Sequence, residues 1–218
     1  MKRLIILIGL FLSAKEAIVQ DSLLPPRYKK IKEVFGDLDK DGKEEKVVVY
    51  NIPAEDEEIN GVDREVVIFK KHSQNWYIWQ RSTSAVGNSK DGGMMGDPFE
   101  DIEITNGILI ISHSGGSSWK WRNSDKYRFQ NKSLELIGYS SYHGKLCEYW
   151  VDVDFNLSTG KIHYKKEYEN CDNEESQFIY KTETENFSFR RLKKITFHER
   201  KKSEVKIITP KYKDSIYL

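Results

Sequence analysis

Carboxylate side chains recur at every second position in one short stretch, Gly36-Asp37-Leu38-Asp39-Lys40-Asp41-Gly42, and a β-branched run follows it closely. Calcium is a hard cation that takes oxygen ligands, and a calcium loop supplies them from alternating positions, with a glycine at the sixth position for the sharp turn. Counted from Asp37, the sixth residue is Gly42. The predicted Ca²⁺ ligands are Asp37, Asp39, Asp41, the backbone carbonyl of Lys43, and Glu45.

The end of this loop differs from an EF-hand. Its twelfth position is Val48, where an EF-hand has a bidentate glutamate. The residues that follow the loop, 46–50, are rich in valine and favour a strand over a helix. We therefore do not expect a paired EF-hand sensor, and the last ligand is either missing or supplied from elsewhere. The alternative interpretation of the stretch is a polar turn without an ion.

A second stretch with chemical potential is His113-Ser114-Gly115-Gly116-Ser117-Ser118-Trp119. A hydrolase would use Ser117 or Ser118 as nucleophile, His113 as base and the glycine N–H groups as an oxyanion hole. The stretch lacks the second glycine of a nucleophile elbow and no helical pattern follows it, so catalysis is kept only as an alternative. A binding site is the other functional hypothesis, because glycines admit a ligand to the backbone, serines offer hydroxyls and tryptophan offers a flat face. Its residues would be Gly115, Gly116, Ser117, Ser118 and Trp119. A bulged strand with Trp119 and Trp121 in the core is the structural interpretation.

Two further stretches carry weaker signals. Residues 92–99 are glycine-rich, and they indicate either a flexible lip of a ligand site or a crossover whose methionines fill the edge of the core, which we favour. In the first case a second cation site would use Asp91, Asp97, Glu100 and Asp101. The basic residues at 190–194 and 200–202 favour a solvated or edge strand over a site for an anionic polymer.

The N-terminus predicts export. Met1-Lys2-Arg3 is a positive flank, residues 4–12 are apolar, and Ser13-Ala14 are small, as in a secretory signal peptide. The apolar run is shorter than the roughly 20 residues that span a bilayer. We expect a signal peptide over residues 1–17 and a single calcium-binding β domain over residues 18–218, secreted or periplasmic, without a membrane span after cleavage. The formal net charge of +1 provides no field that would attract nucleic acid.

The two cysteines, Cys147 and Cys171, are expected to form a disulfide in an exported chain. Their midpoint falls within the turn-like stretch Asn156-Leu157-Ser158-Thr159-Gly160, so a hairpin centred there would bring them face to face across its strands. Two separate buried thiols are the alternative, because a slip in register would part them.

Alternating apolar and polar residues predict many short strands, and no long amphipathic helix is indicated. Asn106-Gly107 between residues 101–104 and 108–111 is the strongest hairpin signal, and a second hairpin is expected across residues 71–75. Residues 28–35 fit a strand or a short helix, and their periodicity does not decide between them. A turn is expected at residues 123–125, and later strands at 134–141, 146–155, 161–168, 176–182, 186–197 and 204–208. The predicted fold class is mainly β: one antiparallel domain, sandwich or barrel-like.

The stretch from Gly36 to Tyr50 resembles the Asp-x-Asp-x-Asp-Gly calcium loops of FG-GAP/VCBS repeats and of dockerins, which are extracellular calcium-binding modules. Such repeats recur to build a propeller, whereas this chain has one copy. Residues 35–161 also resemble a group of uncharacterised exported bacterial proteins. The motifs that carry this likeness are the calcium loop, residues 92–99, residues 113–121 and residues 156–161.

The expected function is a non-catalytic binding or interaction module of the cell envelope or exterior, with a carbohydrate or protein partner and with Ca²⁺ as cofactor. The alternatives are a secreted hydrolase that uses Ser117 and His113, and an inhibitor or immunity-type partner protein.

Overall fold

The computed structural model describes residues 23–171, 177–190, 193–202 and 205–218. Two open antiparallel sheets account for most of these residues, as a β sandwich requires. The predicted signal peptide at residues 1–17 lies outside the described part of the chain. None of the helices in that part is long and apolar enough to cross a membrane.

The first sheet has four strands in sequence order: β1 (Lys29–Gly36), β2 (Glu45–Asn51), β3 (Arg64–His72) and β4 (Asn75–Ser82). The short helix α1 (Glu57–Asn60) lies in the connection between β2 and β3. The segment at residues 28–35, for which the sequence left strand and helix open, therefore forms a strand from Lys29 onward. The expected hairpin across residues 71–75 is confirmed, with His72 opposite Asn75.

The second sheet has seven strands, again in sequence order across the sheet. They are β5 (Phe99–Thr105), β6 (Ile108–Gly116), β7 (Lys120–Gln130), β8 (Ser133–Lys145), β9 (Tyr149–Asn156), β10 (Lys161–Cys171) and β11 (Gln177–Ser188). The Asn106-Gly107 hairpin is confirmed, and both of its turn residues have positive φ, at 54° and 76°. The hairpin between β9 and β10 is also confirmed, with Asn156 opposite Lys161.

Some of the predicted element boundaries are wrong. The expected turn at residues 123–125 lies inside β7, where Asp125 is buried and pairs with Arg200, so polarity marks a core ion pair and not a chain reversal. The two strands expected at 176–182 and 186–197 are one strand, β11, which ends at Ser188. Beyond it Thr196 makes an isolated bridge with Glu135. A 3₁₀ helix, Phe197–Lys202, then begins.

The main core lies on one face of the seven-stranded sheet. The four-stranded sheet covers part of that face, and valine and isoleucine side chains of β2 and β3 meet Leu109 and Ile111 of β6 there. The C-terminal segment covers the rest. Its strands β12 (Lys206–Ile208) and β13 (Ser215–Tyr217) pair with each other, and the Tyr139 hydroxyl donates to the Tyr217 carbonyl at 3.2 Å.

The predicted disulfide is present between Cys147 and Cys171, whose Cα atoms are 5.2 Å apart. Cys147 lies in the β8–β9 connection and Cys171 is the last residue of β10, so the bond closes the open end of the β9–β10 hairpin. The expected disulfide is confirmed, but the two cysteines are not paired within the ladder, which ends at Tyr149 opposite Tyr168.

Candidate cation site and ligand-binding faces

The predicted calcium loop connects β1 to β2 and is folded back on its own first carboxylate. Asp37 accepts the backbone N–H of Asp41 at 3.1 Å and that of Gly42 at 2.8 Å. Asp41 accepts the N–H of Lys43 at 2.9 Å. Gly42 has φ 84°, a left-handed conformation that glycine adopts without strain. The alternation of aspartates therefore shapes the loop before any ion is considered.

This fold brings three of the predicted ligands together. Carboxylate oxygens of Asp37, Asp39 and Glu45 all lie within 4.8 Å of one another, which is a group that could hold a metal ion. Glu45 is 0% exposed, and its Oε2 accepts the N–H of Leu38 at 2.8 Å. Of the other two predicted ligand residues, Asp41 is exposed at the rim, and the Lys43 N–H donates to Asp41.

A residue that the sequence analysis did not identify, Lys70 of β3, reaches into this group. Its ammonium contacts a carboxylate oxygen of Asp39 and lies 2.9 Å from Asp41 Oδ2 and 3.3 Å from Glu45 Oε1. No spacing signal could have found it, because strand pairing brings it to the loop from a distant part of the chain. The site thus has four carboxylates, those of Asp37, Asp39, Asp41 and Glu45, and Lys70 brings a single positive charge to them.

The pKa shifts in the group follow from burial and from this contact. Burial raises the pKa of the Glu45 carboxyl, and the hydrogen bond from the Leu38 N–H opposes that rise only in part. Burial acts to lower the pKa of Lys70, but its hydrogen bonds to Asp39 and Asp41 outweigh burial and raise it. Lys70 is therefore a permanently charged ammonium at neutral pH.

Lys70 does not provide a hydrogen bond to every buried carboxylate oxygen of the group. Asp39 Oδ1 and Glu45 Oε1 are buried side-chain oxygens without a hydrogen-bond partner. The 3.3 Å approach of Lys70 to Glu45 Oε1 is an ion-pair distance, but it lacks hydrogen-bond geometry. Buried anionic oxygens are costly unless a cation or donor meets them. The residues present therefore fit a hard cation with oxygen ligands.

The loop lies where the two sheets meet. Gly36 packs against Ile104 of β5 so closely that a Cβ there would lie 2.5 Å from a methyl carbon. A Cβ on Gly107, in the β5–β6 turn, would lie 3.1 Å from the Asp37 carbonyl oxygen. An ion in the loop would hold the ends of β1 and β2 against this hairpin of the larger sheet.

The second cation site that residues 91–101 suggested is not assembled. Asp97 forms a two-pronged ion pair with the buried Arg64. The other three carboxylates have separate partners: the Asn88 N–H for Asp91, the Ser114 hydroxyl for Glu100 and the Lys32 ammonium for Asp101. In the described part of the chain, only the Asp37 group gathers three such ligands.

The glycine-rich segment at residues 92–99 does not fill the edge of the core. Met94 is 89% exposed and Met95 is 52% exposed, which corrects the expectation that these methionines plug the core. The glycines serve close backbone packing instead. The Gly116 N–H donates to the Gly92 carbonyl at 2.8 Å, and a Cβ on Gly115 would lie 2.8 Å from the Gly92 backbone.

The predicted ligand-binding residues at 115–119 are only partly presented to solvent. Gly115 is buried against Gly92, and Ser117 and Ser118 form an exposed turn in which the Ser117 N–H donates to the Trp119 carbonyl at 2.9 Å. Trp119 is 43% exposed, and its ring centroid lies 5.1 Å from that of Tyr149. Trp119 is thus the one large side chain of this set available for contact.

The catalytic alternative places His113 and Ser117 in different environments. His113 is a half-buried residue of β6 whose Nε2 accepts the Gly87 N–H at 3.4 Å. Burial, reinforced by the Arg200 and Arg64 charges, lowers its pKa, while Asp125 and Asn123 oppose the shift. Ser117 is exposed in the turn after β6, and none of the described hydrogen bonds joins the two residues.

The outer face of the seven-stranded sheet carries a cleft of about 610 Å³ that sequence analysis did not identify. Serine hydroxyls from three strands form its floor: Ser112, Ser114, Ser124 and Ser140. Arg122, Tyr142 and Asp152 border it. The signal was present as alternation within each strand, but only the register between strands shows that these residues converge.

Comparison of the chain with protein-family models, with curated proteins and with solved structures found no significant match.

Proposed function

We propose that this protein is an exported, non-catalytic binding domain whose two sheets are tied together by a calcium ion. The ion would be held by Asp37, Asp39 and Glu45. The observation that carries the proposal is Glu45 Oε1, a buried oxygen without a hydrogen-bond partner, on a carboxylate that the fold brings together with those of Asp37 and Asp39. Four carboxylates against the single ammonium of Lys70 leave an excess negative charge for a divalent cation to balance.

Calcium suits these ligands better than magnesium. Magnesium requires near-ideal octahedral geometry and keeps several of its waters, whereas calcium accepts irregular sets of carboxylate and backbone oxygens. The alternation of Asp37, Asp39 and Asp41 before Gly42 is the pattern of a calcium loop.

Export is supported by the disulfide between Cys147 and Cys171, because such bonds persist in oxidising compartments. The apolar leader at residues 4–12 supports the same conclusion. Calcium outside the cell is abundant enough to load extracellular sites with dissociation constants of about 10⁻⁴ to 10⁻³ M. A structural ion in an exported domain therefore needs only modest affinity.

The test is thermal unfolding of the mature chain in excess calcium and in chelator, with Glu45→Gln as the variant. A ligand at about 100 times its dissociation constant stabilises the native state by about 2.7 kcal/mol. For a chain of this size that corresponds to a rise in Tm of about 5 to 10 °C. The matched control is Glu44→Gln, which removes the same charge from the exposed neighbour of Glu45.

The proposal requires the calcium-dependent rise in the native chain and in Glu44→Gln, and its loss in Glu45→Gln. If Glu45→Gln does not fold, Asp39→Asn takes its place as the variant. Calorimetric titration of the native chain with calcium also reports binding directly. Equal Tm values in calcium and chelator, together with no binding heat, would show that Lys70 is the cation that serves this group.

A further inference from the structure

One row of residues crosses all seven strands of the large sheet. Strand register places the members directly opposite one another, from β5 to β11: Asp101, Ser112, Ser124, Ser140, Asp154, His163 and Asn186. Their neighbours along the chain, such as Ile111 and Val153, are buried in the core. Because side chains alternate between faces, the row lies on the outer face. At the usual strand spacing it is about 29 Å long.

The row forms the floor of a trough. Its members are short, whereas the next row toward one end of the strands carries Arg122, Tyr142 and Lys165. The cleft of about 610 Å³ overlies the β6 to β9 part of the row, and a second cleft of about 440 Å³ overlies the β9 to β11 part. The two clefts adjoin at β9, where Asp152 lines the first and Asp154 lines the second.

The trough offers hydrogen-bond donors and acceptors side by side. Among the described residues, Arg122, Ser140, Asp152 and Asp154 have no side-chain hydrogen bond or ion pair to another residue, although Arg122 and Asp152 are separated only by Tyr142 in their row. A ligand hydroxyl donates one hydrogen bond and accepts others, so a chain of hydroxyls can satisfy such alternating groups at once.

One side of the trough is a rigid aromatic wall. The rings of Tyr142 and Trp150 are stacked, with centroids 5.0 Å apart and planes within 4°. The Arg122 guanidinium lies 4.9 Å from the Tyr142 centroid. Trp150 lies over Gly144, where a Cβ would be 2.7 Å from the indole. Since these groups are held in place before binding, little side-chain entropy is lost when a ligand packs against them.

Charges of both signs line the trough and leave only a small net negative charge. Arg122 is set against Glu100 and Asp152 in the first cleft, and Lys161 against Asp154 in the second. The formal net charge of the whole chain is +1. Neither the trough nor the chain has the single-sign field that recruits nucleic acid or an acidic polymer. An uncharged ligand is the one that this pattern complements.

From the row, the free polar groups, the aromatic wall and the mixed charge, we propose that the outer face binds an uncharged polysaccharide laid across the strands. Trp150, braced by the stacked Tyr142 ring, would pack against the C–H face of a sugar ring, and Arg122, Ser140, Asp152 and Asp154 would bind hydroxyls. This rests on the proposed role as a binding domain, but it needs no calcium ligand in contact with the sugar.

The experiment is affinity electrophoresis of the mature chain in gels that contain dextran, mannan, xylan or mixed-linkage β-glucan, with calcium in the buffer. We expect retardation by at least one of these uncharged polysaccharides. Tyr142→Ala removes the wall, and Ser140→Lys places a long side chain on the floor while both aromatic residues are kept. Each should weaken binding about tenfold or more. The matched control is Tyr77→Ala, which removes an exposed tyrosine from the four-stranded sheet.

Near-ultraviolet circular dichroism confirms that each variant is folded, so the Ser140→Lys result decides the question if Tyr142→Ala unfolds. The proposal is overturned if no uncharged polysaccharide retards the folded native chain, if only dextran sulfate does so, or if peptides bind at this face instead. Loss of binding in Trp119→Ala alone would place the site at the 115–119 turn and would also overturn it. Glu45→Gln is run in the same gels, to show whether polysaccharide binding persists when the proposed calcium site is lost. Failure of this proposal can then be distinguished from failure of the calcium proposal.

Discussion

Removal of the Cys147–Cys171 disulfide should destabilise the protein, and the length of chain between the two cysteines determines by how much. The bond joins residues 24 positions apart. In the chain-entropy account, a cross-link of this span lowers the entropy of the unfolded chain and contributes about 3.5 kcal/mol to stability. For a chain of this size the corresponding fall in Tm is about 7 to 14 °C. That is a large share of the stability of an ordinary domain.

The assay compares urea and thermal unfolding of the oxidised native chain, the reduced native chain, and the double variant Cys147→Ser with Cys171→Ser. The reduced chain and the variant should unfold at the same lower midpoint, and reductant should leave the variant unchanged. The β9–β10 ladder below the bond continues to Tyr149 and Tyr168, so the native fold should persist after reduction. A reduced chain within about 1 kcal/mol of the oxidised one would refute the entropic reasoning.

Two other predictions concern the inter-sheet core. Arg200→Met leaves the buried Asp125 without its cation, with only the Tyr127 hydroxyl still donating to it, and should cost about 3 to 5 kcal/mol in urea unfolding, much of it recovered by adding Asp125→Leu. The lowered pKa of His113 means that the unfolded chain binds a proton more readily, so the stability due to neutral His113 is present above about pH 6.5 and is lost as pH falls. Unfolding free energies measured from pH 7.5 to 5 should therefore fall less steeply in His113→Gln than in the native chain, and equal slopes would contradict this.

Local sequence signals were enough to predict the hairpins, because the turn residues by themselves determine where the chain reverses. Asn106 and Gly107 adopt the positive φ values that a two-residue turn needs, whatever the rest of the chain does. The same local reasoning was wrong at residues 123–125, where Asn, Ser and Asp lie inside a long strand. Asp125 reads as a turn residue until its partner Arg200, 75 residues away, is known.

The candidate sites also contain some residues that local spacing predicts and others that only the fold brings together. Asp37, Asp39 and Glu45 belong to one loop, so their spacing was enough to predict that they meet. Lys70, which lies among them, comes from another strand. The polar row is even harder to predict from the sequence. Within their own strands, Ser112, Ser140 and His163 look like ordinary outward-facing residues. Their alignment depends on the register of seven strands, to which a bulge between Lys126 and Tyr127 contributes.

The β5–β6 hairpin connects the two proposed sites. Its turn, at Gly107, packs on the Asp37 carbonyl of the cation loop. Farther along β6 lies Ser112, a member of the polar row, opposite Asp101 of β5, which pairs with Lys32 of β1 at 2.9 Å. β5 is an edge strand of the large sheet, held on one side only by β6. An ion that fixes the ends of β1 and β2 would steady this edge and the near end of the trough, whereas the aromatic wall on β8 and β9 lies beyond its reach. Calcium would therefore act on polysaccharide binding through the stability of the edge and not through contact with the sugar.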